Sequence, residues 1–337
     1  MEWNKGYTSK YYATIVDPDS WGDTDVLEII DGSIKIESTG LRCSADLTCT
    51  QFSDSVETLI RVWLDTTQLG SRGSHTPLFT GYACSPDRRL EGKMEKKSLQ
   101  CYSVLLPCDD ILLPRGWYAP VNINGVTLIK TLLQPANAKV VVDSDDTDVI
   151  LSHSIVAESG ETNLSMIEAI LTSINWRMQI DGMGVIHLSK YDLTPKAKFD
   201  SIDNDILELS ISIDHDWFNC PNVLRVILDE QVAIAYDYDS NTPVSINNRG
   251  REVWAEEDSV TLINNESLQA YANRRLKELQ RVATKISYDR RFVPNILVDD
   301  VINLNYPDQE LVGNFMISSQ SITLGHNAKT AEEVIMV

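Results

Sequence analysis

Residues 158–188 combine one helical pattern with one hairpin pattern, and this combination constrains the chain most. Ser165 and Glu168 have the Ser-x-x-Glu spacing of a capping box. After Asn175 the apolar period falls to two, and the stretch 181–184 (Asp-Gly-Met-Gly) supplies a turn before a returning strand at 185–188. Apolar residues at helical and then alternating spacing predict the buried faces: Met166, Ile167, Ile170, Leu171 and Ile174 on the helix, Trp176, Met178 and Ile180 on the strand. No nucleophile, metal or phosphate-loop pattern occurs here, so the stretch indicates an assembly module rather than an enzyme.

Residues 1–110 are predicted to be β-structure. An Asp31-Gly32 turn between 26–30 and 34–36 predicts a hairpin. Residues 41–50 alternate apolar and polar side chains, which is typical of a half-buried strand. Strands are also expected at 59–64, 78–84 and 98–105. Many short strands without a helical pattern predict a closed or nearly closed antiparallel barrel.

The rest of the chain predicts three further parts. Residues 111–190 are expected to form an α+β domain, with a helix at 125–134 and a strand at 138–142. After a polar linker at 191–205, residues 191–235 and 286–337 are expected to form a second β-barrel, in which 223–228 is a strand and the last strand ends near Leu324. Residues 236–285 would be an inserted domain with a helix beginning at Ser267. The fold class is therefore mainly β: two similar antiparallel barrels plus two small α+β domains.

The net charge of −20 disfavours phosphate-backbone binding, because that affinity comes from Lys and Arg. It either keeps the protein soluble or forms an acidic surface past which DNA slides. The longest apolar runs fall well short of the ~20 residues that span a bilayer. The N-terminus has no signal-peptide core, so assembly in a bacterial cytoplasm is expected. Free, buried thiols are expected at all six cysteines: Cys43, Cys49, Cys84, Cys101, Cys108 and Cys220.

No candidate for chemistry fits its motif well, and we predict no catalytic residue, metal ligand or cofactor. Residues 237–241 begin like a calcium loop, but Thr242 and Asn248 replace the required Gly and Glu. Structural explanations are preferred for the remaining candidates: the acidic cluster Asp143, Asp145, Asp146 and Asp148; His187; His215 between Asp214 and Asp216; and the pairs Glu158/Glu161 and Asp299/Asp300. A basic cluster is expected in an exposed hairpin loop or at a partner contact: Arg88, Arg89, Lys93, Lys96 and Lys97.

In the order and spacing of its motifs the chain resembles the hub proteins of contractile phage tails and phage-tail-like particles, from about Tyr12 to Leu324. The motifs that carry this resemblance are the stretch 158–188 and the shorter segments Val16-Asp17-Pro18, Trp21, 30–34, 101–105, 113–118 and 219–223. The resemblance implies a homotrimer, with two barrels per subunit forming a pseudo-sixfold ring. Such a ring joins the hexameric tail tube to the trimeric central spike and contacts other baseplate or tape-measure proteins.

This resemblance implies a non-enzymatic component of a virion or of a DNA-free tail-like particle. DNA passage through the lumen would then need no specific nucleic-acid binding, and no membrane contact is expected. Two alternatives remain open. One is a tail-associated peptidoglycan hydrolase, and the other is a carbohydrate-binding tail-tip module. The second needs exposed tryptophans; Trp21, Trp63 and Trp176 have core-like patterns, whereas Trp217 and Trp254 do not.

Overall fold

The first six strands pair in a closed cycle, which we call the N-terminal β unit. The computed structural model describes all residues except 1–2, 4–5, 51, 53–55, 71, 92–93, 145–148, 203–204, 259, 261, 263–265, 282–283 and 326–328. The strands are β1 (Thr8–Val16), β2 (Asp23–Glu37), β3 (Cys43–Cys49), β4 (Thr58–Thr67), β5 (Ser74–Glu91) and β6 (Met94–Ser103). Their order is β1-β4-β5-β6-β3-β2, every pair is antiparallel, and β1 also pairs with β2. The strands expected at 41–50, 59–64, 78–84 and 98–105 are confirmed.

The hairpin predicted at Asp31-Gly32 is wrong, because β2 continues through this dipeptide. The register opposite β3 shifts between Ile29 and Asp31, so the sequence signal marks a bulge. A Cβ on Gly32 would lie 2.5 Å from the carbonyl oxygen of Asp46. Glycine is therefore required here by the close approach of the neighbouring backbone rather than by a chain reversal.

The α+β segment follows the N-terminal β unit and shares one hydrophobic core with it. Its elements are α1 (Leu106–Asp110), β7 (Tyr118–Ala119), α2 (Gly125–Leu132), β8 (Val140–Val142), β9 (Ile155–Val156), α3 (Asn163–Ile174), β10 (Trp176–Ile180) and β11 (Ile186–Lys190). The predicted apolar faces of α3 and β10 are both buried. Gly182, in the predicted turn, packs against β5: a Cβ there would lie 2.1 Å from the Pro77 carbonyl oxygen.

The capping box of α3 is real but lies three residues earlier than predicted. Thr162 is the N-cap, and its side chain accepts a hydrogen bond from the Ser165 amide at 3.1 Å. Ser165 accepts one in return from the Thr162 amide at 2.9 Å. Serine thus replaces the usual Glu or Gln at the third helical position. Glu168 takes no part in the capping box and contacts Arg42 instead.

The C-terminal β unit is interrupted by an insert. In chain order the elements are β12 (Ala197–Asp200), β13 (Ile206–His215), β14 (Val223–Leu228), β15 (Gln231–Tyr236), α4 (Ile246–Arg249), β16 (Trp254–Glu257), α5 (Leu268–Arg281), β17 (Thr284–Arg290), β18 (Val301–Tyr306), β19 (Leu311–Leu324) and β20 (Thr330–Met336). The unit consists of β12, β13 and β17 to β20, in the order β12-β18-β19-β20-β17-β13.

The insert has its own sheet, β15-β14-β16, which packs on α5. The prediction that 223–228 extends the second β region is therefore wrong, because β14 pairs with β15 and β16. Several strands were also missed in the sequence; among them, β12 lies in the predicted linker, and β20 follows the predicted last strand. Short or weakly alternating strands leave little periodic signal.

The two β units have the same strand order. When the strands of each unit are numbered along the chain, both run first, fourth, fifth, sixth, third, second. They differ at the first strand: β1 pairs antiparallel with β4, whereas β12 pairs parallel with β18. One further ladder, from Ser319 opposite Glu37 to Leu324 opposite Gly32, joins β19 to β2 and gives one twelve-stranded sheet.

Candidate assembly site

The ladder between β2 and β19 joins the two β units. Ile34 and Leu324 are both buried there. Ile36 packs against the hydrophobic cores of both units. The sheet is thus continuous across the contact, and the two units are joined by backbone hydrogen bonds as well as by apolar packing.

A buried ionic cluster ties the α+β segment to both β units. Arg42, in the β2–β3 loop, is 6% exposed and donates two hydrogen bonds to the Glu168 carboxylate, at 2.7 and 2.8 Å. The Arg42 guanidinium also lies 3.7 Å from Asp299, just before β18. Because α3 carries Glu168, these three side chains connect three parts of the chain. Both hydrogen bonds come from Nη2 of Arg42, which lies between the two carboxylate oxygens of Glu168, and such bonds between charged groups are stronger than neutral ones.

A second set of contacts extends the cluster to β10. Arg177 donates to the backbone carbonyl of Asp299 and, at 3.3 Å, to the Asp300 carboxylate. Gln179 donates to the same carboxylate at 3.2 Å, and Lys196 approaches it at 2.8 Å. The polar face predicted for β10 is therefore not solvated, because the C-terminal β unit covers it.

Burial raises the pKa of two carboxyl groups in this cluster. Burial raises the pKa of Asp299 from 3.8 to about 6, although the Arg42 and Arg177 guanidinium groups lower it. Burial likewise raises the pKa of Glu168, and the lowering effect of Arg42 offsets only part of that rise. Charged Asp299 is thus held in an environment that favours its neutral form, which makes the cluster sensitive to pH.

Within the C-terminal β unit a second buried pair joins β17 to β20. Arg290 and Glu332 are 1% and 2% exposed and lie 2.5 Å apart. The Glu332 carboxylate also accepts hydrogen bonds from Tyr288 at 2.8 Å and Gln320 at 2.6 Å. Removing one partner of such a buried ion pair is strongly destabilising, because it leaves the other charge uncompensated.

His187 lies in β11 and contacts two carboxylates. Its Nδ1 lies 2.7 Å from Asp143 and its Nε2 lies 3.3 Å from Asp181. The hydrogen bond to Asp181 is the largest cause of its raised pKa. The other members of the predicted acidic cluster, Asp145, Asp146 and Asp148, lie outside the described residues. Where described, the cluster is thus a histidine held between two carboxylates.

The remaining sequence candidates occupy ordinary turns and strand ends. In the calcium-like loop the Asp237 carboxylate accepts the Asp239 amide, and the Asp239 carboxylate accepts the Asn241 amide, each at 2.9 Å. His215 ends β13 and lies 3.0 Å from the Thr284 hydroxyl. Glu161 accepts the Glu158 amide at 2.8 Å. Within the described ranges, no three His, Cys, Asp or Glu side chains are grouped as metal ligands would be.

Other predictions concern surfaces and thiols. Of the basic cluster, Arg88 and Arg89 are in β5 and Lys96 and Lys97 in β6, whereas Lys93 and the side chains of Arg88 and Arg89 lie outside what the structure describes. Trp217 and Trp254 are 48% and 49% exposed, whereas the other tryptophans considered above are not exposed. As predicted, none of the six cysteines forms a disulfide; Cys84 is half-buried and the others are buried. Among the described residues, no helix has the length and apolar character that spanning a bilayer requires.

The buried charges were the main features missed in the sequence. In the sequence, turns and caps explain the pair Asp299-Asp300 equally well, and Arg42 falls on the polar side of the strand predicted at 41–50. The one available signal was the alternation of Arg177 and Gln179 with apolar residues, which reads equally well as a solvated face. The partners of the buried charges are distant in the chain; Arg42 and Glu168, for example, are 126 residues apart.

Neither a protein-family model nor a curated protein matches the chain. Solved structures do match it along nearly its whole length. The tail protein from Neisseria meningitidis MC58 superposes with a TM-score of 0.70 at 13% identity, covering 98% of this chain and 97% of that one. The 43 kDa tail protein of prophage MuSo2 from Shewanella oneidensis gives 0.68 at 12% identity, with the same coverage.

This chain has the fold of phage tail proteins. A third match extends the likeness beyond phages: an E. coli component of the type VI secretion system, described as structurally similar to T4 bacteriophage tail proteins gp27 and gp5, gives a TM-score of 0.52 at 8% identity. That match covers 92% of this chain and 74% of the E. coli protein. The resemblance inferred from sequence motifs is thereby confirmed at the level of the tail-protein fold.

Proposed function

We propose that this chain is a structural hub at the distal end of a phage tail or a phage-tail-like injection particle. Three copies would form a pseudo-sixfold ring that adapts the hexameric tail tube to the trimeric central spike. The observation that carries the proposal is the identical strand order of the two β units. Two similar units per chain supply six similar positions in a trimer, which is the symmetry match that such an adaptor needs.

The proposal divides the chain into four parts. The two β units, at 8–103 and at 197–215 with 284–336, would be the tube-type barrels of the ring. The closed cycle of pairings in the N-terminal β unit supports this reading for that unit. The α+β segment at 106–190 and the insert at 223–281 would lie outside the ring and provide contacts to other baseplate or tape-measure proteins.

The ionic cluster supports a geometric role. A ring closes only if the angle between consecutive units is held within narrow limits, since an error in that angle is repeated at every contact. Arg42, Glu168, Asp299 and Arg177 link both units to the α+β segment, so they resist a change of that angle. The net charge of −20 would make the lumen of a DNA-containing particle repel the DNA backbone.

Size-exclusion chromatography with light scattering, native mass spectrometry and cryo-electron microscopy of the particle test the proposal together. The expected results are a trimer in solution and density for six similar barrels at the tube–spike boundary. A chain that stays monomeric at high concentration and is missing from the tail tip would refute it. Zymography on peptidoglycan tests the alternative of a cell-wall hydrolase, and clearing of the substrate by the purified chain would favour that alternative.

A further inference from the structure

The two β units of one chain carry, besides the strands of their own contact, a second pair of strands equivalent to them. The in-chain contact joins the second strand of one unit, β2, to the fifth strand of the other, β19. Each chain also carries the counterpart of each partner: β13 is the second strand of the C-terminal β unit, and β5 is the fifth strand of the N-terminal β unit.

We infer that β13 of one copy pairs antiparallel with the C-terminal half of β5 of the next copy. This inference rests on the proposed ring and names the strands that close it.

The fifth strands of the two units share an unusual local geometry. In β19 the pairing with β18 ends at Met316, and a register shift opposite β20 follows between Ile317 and Ser319. Beyond that shift, β19 pairs with β2. In β5 the pairing with β4 ends at Ala83, and a register shift opposite β6 follows between Ala83 and Ser85. Residues 85–91 of β5 then run alongside β6 beyond the end of β4, as the β2-binding part of β19 does beyond the end of β18.

Strand registers identify the equivalent residues of β2 and β13. Ile34 lies opposite Ala45 of β3, which lies opposite Cys101 of β6, the residue paired with Ala83 just before the shift. In the other unit, Ile213 lies opposite Ile286, then Val334, which is paired with Ile317 just before its shift. Ile213 therefore corresponds to Ile34. Counting from the two shifts, Leu90 likewise corresponds to Leu324.

Residues that are buried in the in-chain contact have exposed counterparts on β13 and β5, as expected for strands that have no partner within one chain. Ile34 is 0% exposed, whereas Ile213 is 48% exposed. Leu324 is 3% exposed, whereas Leu90 is 68% exposed. β13 is also the last strand of the twelve-stranded sheet, and its C-terminal residues 212–215 are all exposed. Exposed apolar side chains on strand edges are the features that promote pairing with another chain.

The in-chain ladder predicts the register between copies. Leu324 lies opposite Gly32, and Gly32 corresponds to Ile211, two residues before Ile213. Leu90 of one copy should therefore lie opposite Ile211 of the next. The contact uses a different surface on each partner, so it repeats head to tail and must close by rotation. In a ring of three it would alternate with the in-chain contact, giving six similar junctions.

Disulfide cross-linking tests this register. In a Cys84→Ala background, Leu90→Cys with Ile211→Cys should give covalent dimers and trimers on a non-reducing gel after oxidation. The matched control is Leu90→Cys with Ser210→Cys, because a one-residue slip moves the second thiol to the opposite face of the strand. A mixture of the two single variants should stop at dimers, since each chain then carries one engineered thiol.

The outcomes separate this inference from the proposed function. A trimer in light scattering that cross-links no better on register than in the Ser210→Cys control would overturn the strand pairing and leave the ring standing. Absence of both trimer and cross-link, at the highest soluble concentration and in purified particles, would overturn both.

A charge on β13 provides an independent test. Ile213→Lys should abolish the trimer while the circular dichroism spectrum stays unchanged, since the side chain is half exposed within one chain. Val232→Lys, at a 57% exposed apolar position on β15 of the insert, is the matched control and should leave the trimer intact. A trimer that survives Ile213→Lys undiminished would overturn the inference.

Discussion

Replacing Arg42 by methionine should destabilise the protein strongly, and more at neutral than at acidic pH. The substitution keeps most of the side-chain volume but removes the cation from two buried carboxylates. The side chains of Glu168 and Asp299 are 25% and 4% exposed, so water screens them poorly. Removing one partner of a buried ion pair costs about 3–5 kcal/mol, and we expect the lower figure because Glu168 is partly solvated.

The pH dependence follows from the pKa of the two acids. Both pKa values are raised by burial and lowered by Arg42, so both should rise further in Arg42→Met. A carboxyl whose pKa is higher in the folded than in the unfolded state binds more protons when folded. The protein therefore loses stability as the pH rises from the unfolded-state pKa through the folded-state pKa of that carboxyl. The destabilisation should therefore be smaller near pH 5, where Asp299 can be protonated, than near pH 7.5.

Thermal and urea unfolding at both pH values measure the effect. At pH 7.5 a loss of about 3 kcal/mol corresponds to a fall in melting temperature of roughly 6–12 °C for a cooperative unit of 150–250 residues. The control is Arg225→Met, which removes an ion pair with Glu256 whose side chains are 49% and 44% exposed. Exposed pairs contribute about 0–1 kcal/mol. Equal losses in the two variants, or a loss in Arg42→Met that does not change with pH, would refute the reasoning.

Three further predictions concern separate sites. The raised pKa of His187 stabilises the folded protein below the ordinary histidine pKa, and this stabilisation is lost as the pH rises through the raised pKa. His187→Gln should remove it, so the melting temperatures of wild type and variant should differ at acidic pH and converge at alkaline pH. Gly182→Ala should lower the free energy of unfolding by about 1–3 kcal/mol, because the new Cβ would meet a carbonyl oxygen of β5. Gly6→Ala is the control and should be nearly neutral, since nothing lies within 4 Å of the new Cβ. Equal urea midpoints for the two variants would contradict this. Arg290→Met should cost about 3–5 kcal/mol in urea unfolding. Arg290→Met with Glu332→Gln should cost much less, since the amide removes the unpaired charge and still offers an acceptor oxygen to the buried donors Tyr288 and Gln320; a double variant that is no better than the single one would be inconsistent with this explanation.

Local periodicity was enough to predict the individual elements that bury one face. The alternation at 41–50 corresponds to β3, and the apolar residues predicted for α3 face the core as expected. Each of these patterns depends on the burial of a single element, which the sequence records at fixed spacing. The order of the motifs also indicates the tail-protein fold.

Tertiary structure alone decided which elements are neighbours and which polar groups are buried. The Asp31-Gly32 signal is the same for a turn and for a bulge, and only the approach of β3 to Gly32 distinguishes them. The segment 223–228 is apolar and reads like a strand of the second barrel, yet its partners β15 and β16 place it in the insert. Arg42 and Asp299 are ordinary surface residue types until folding brings them to 3.7 Å. Periodicity is a property of one segment, whereas strand partners and ion neighbours depend on chain closure over more than a hundred residues.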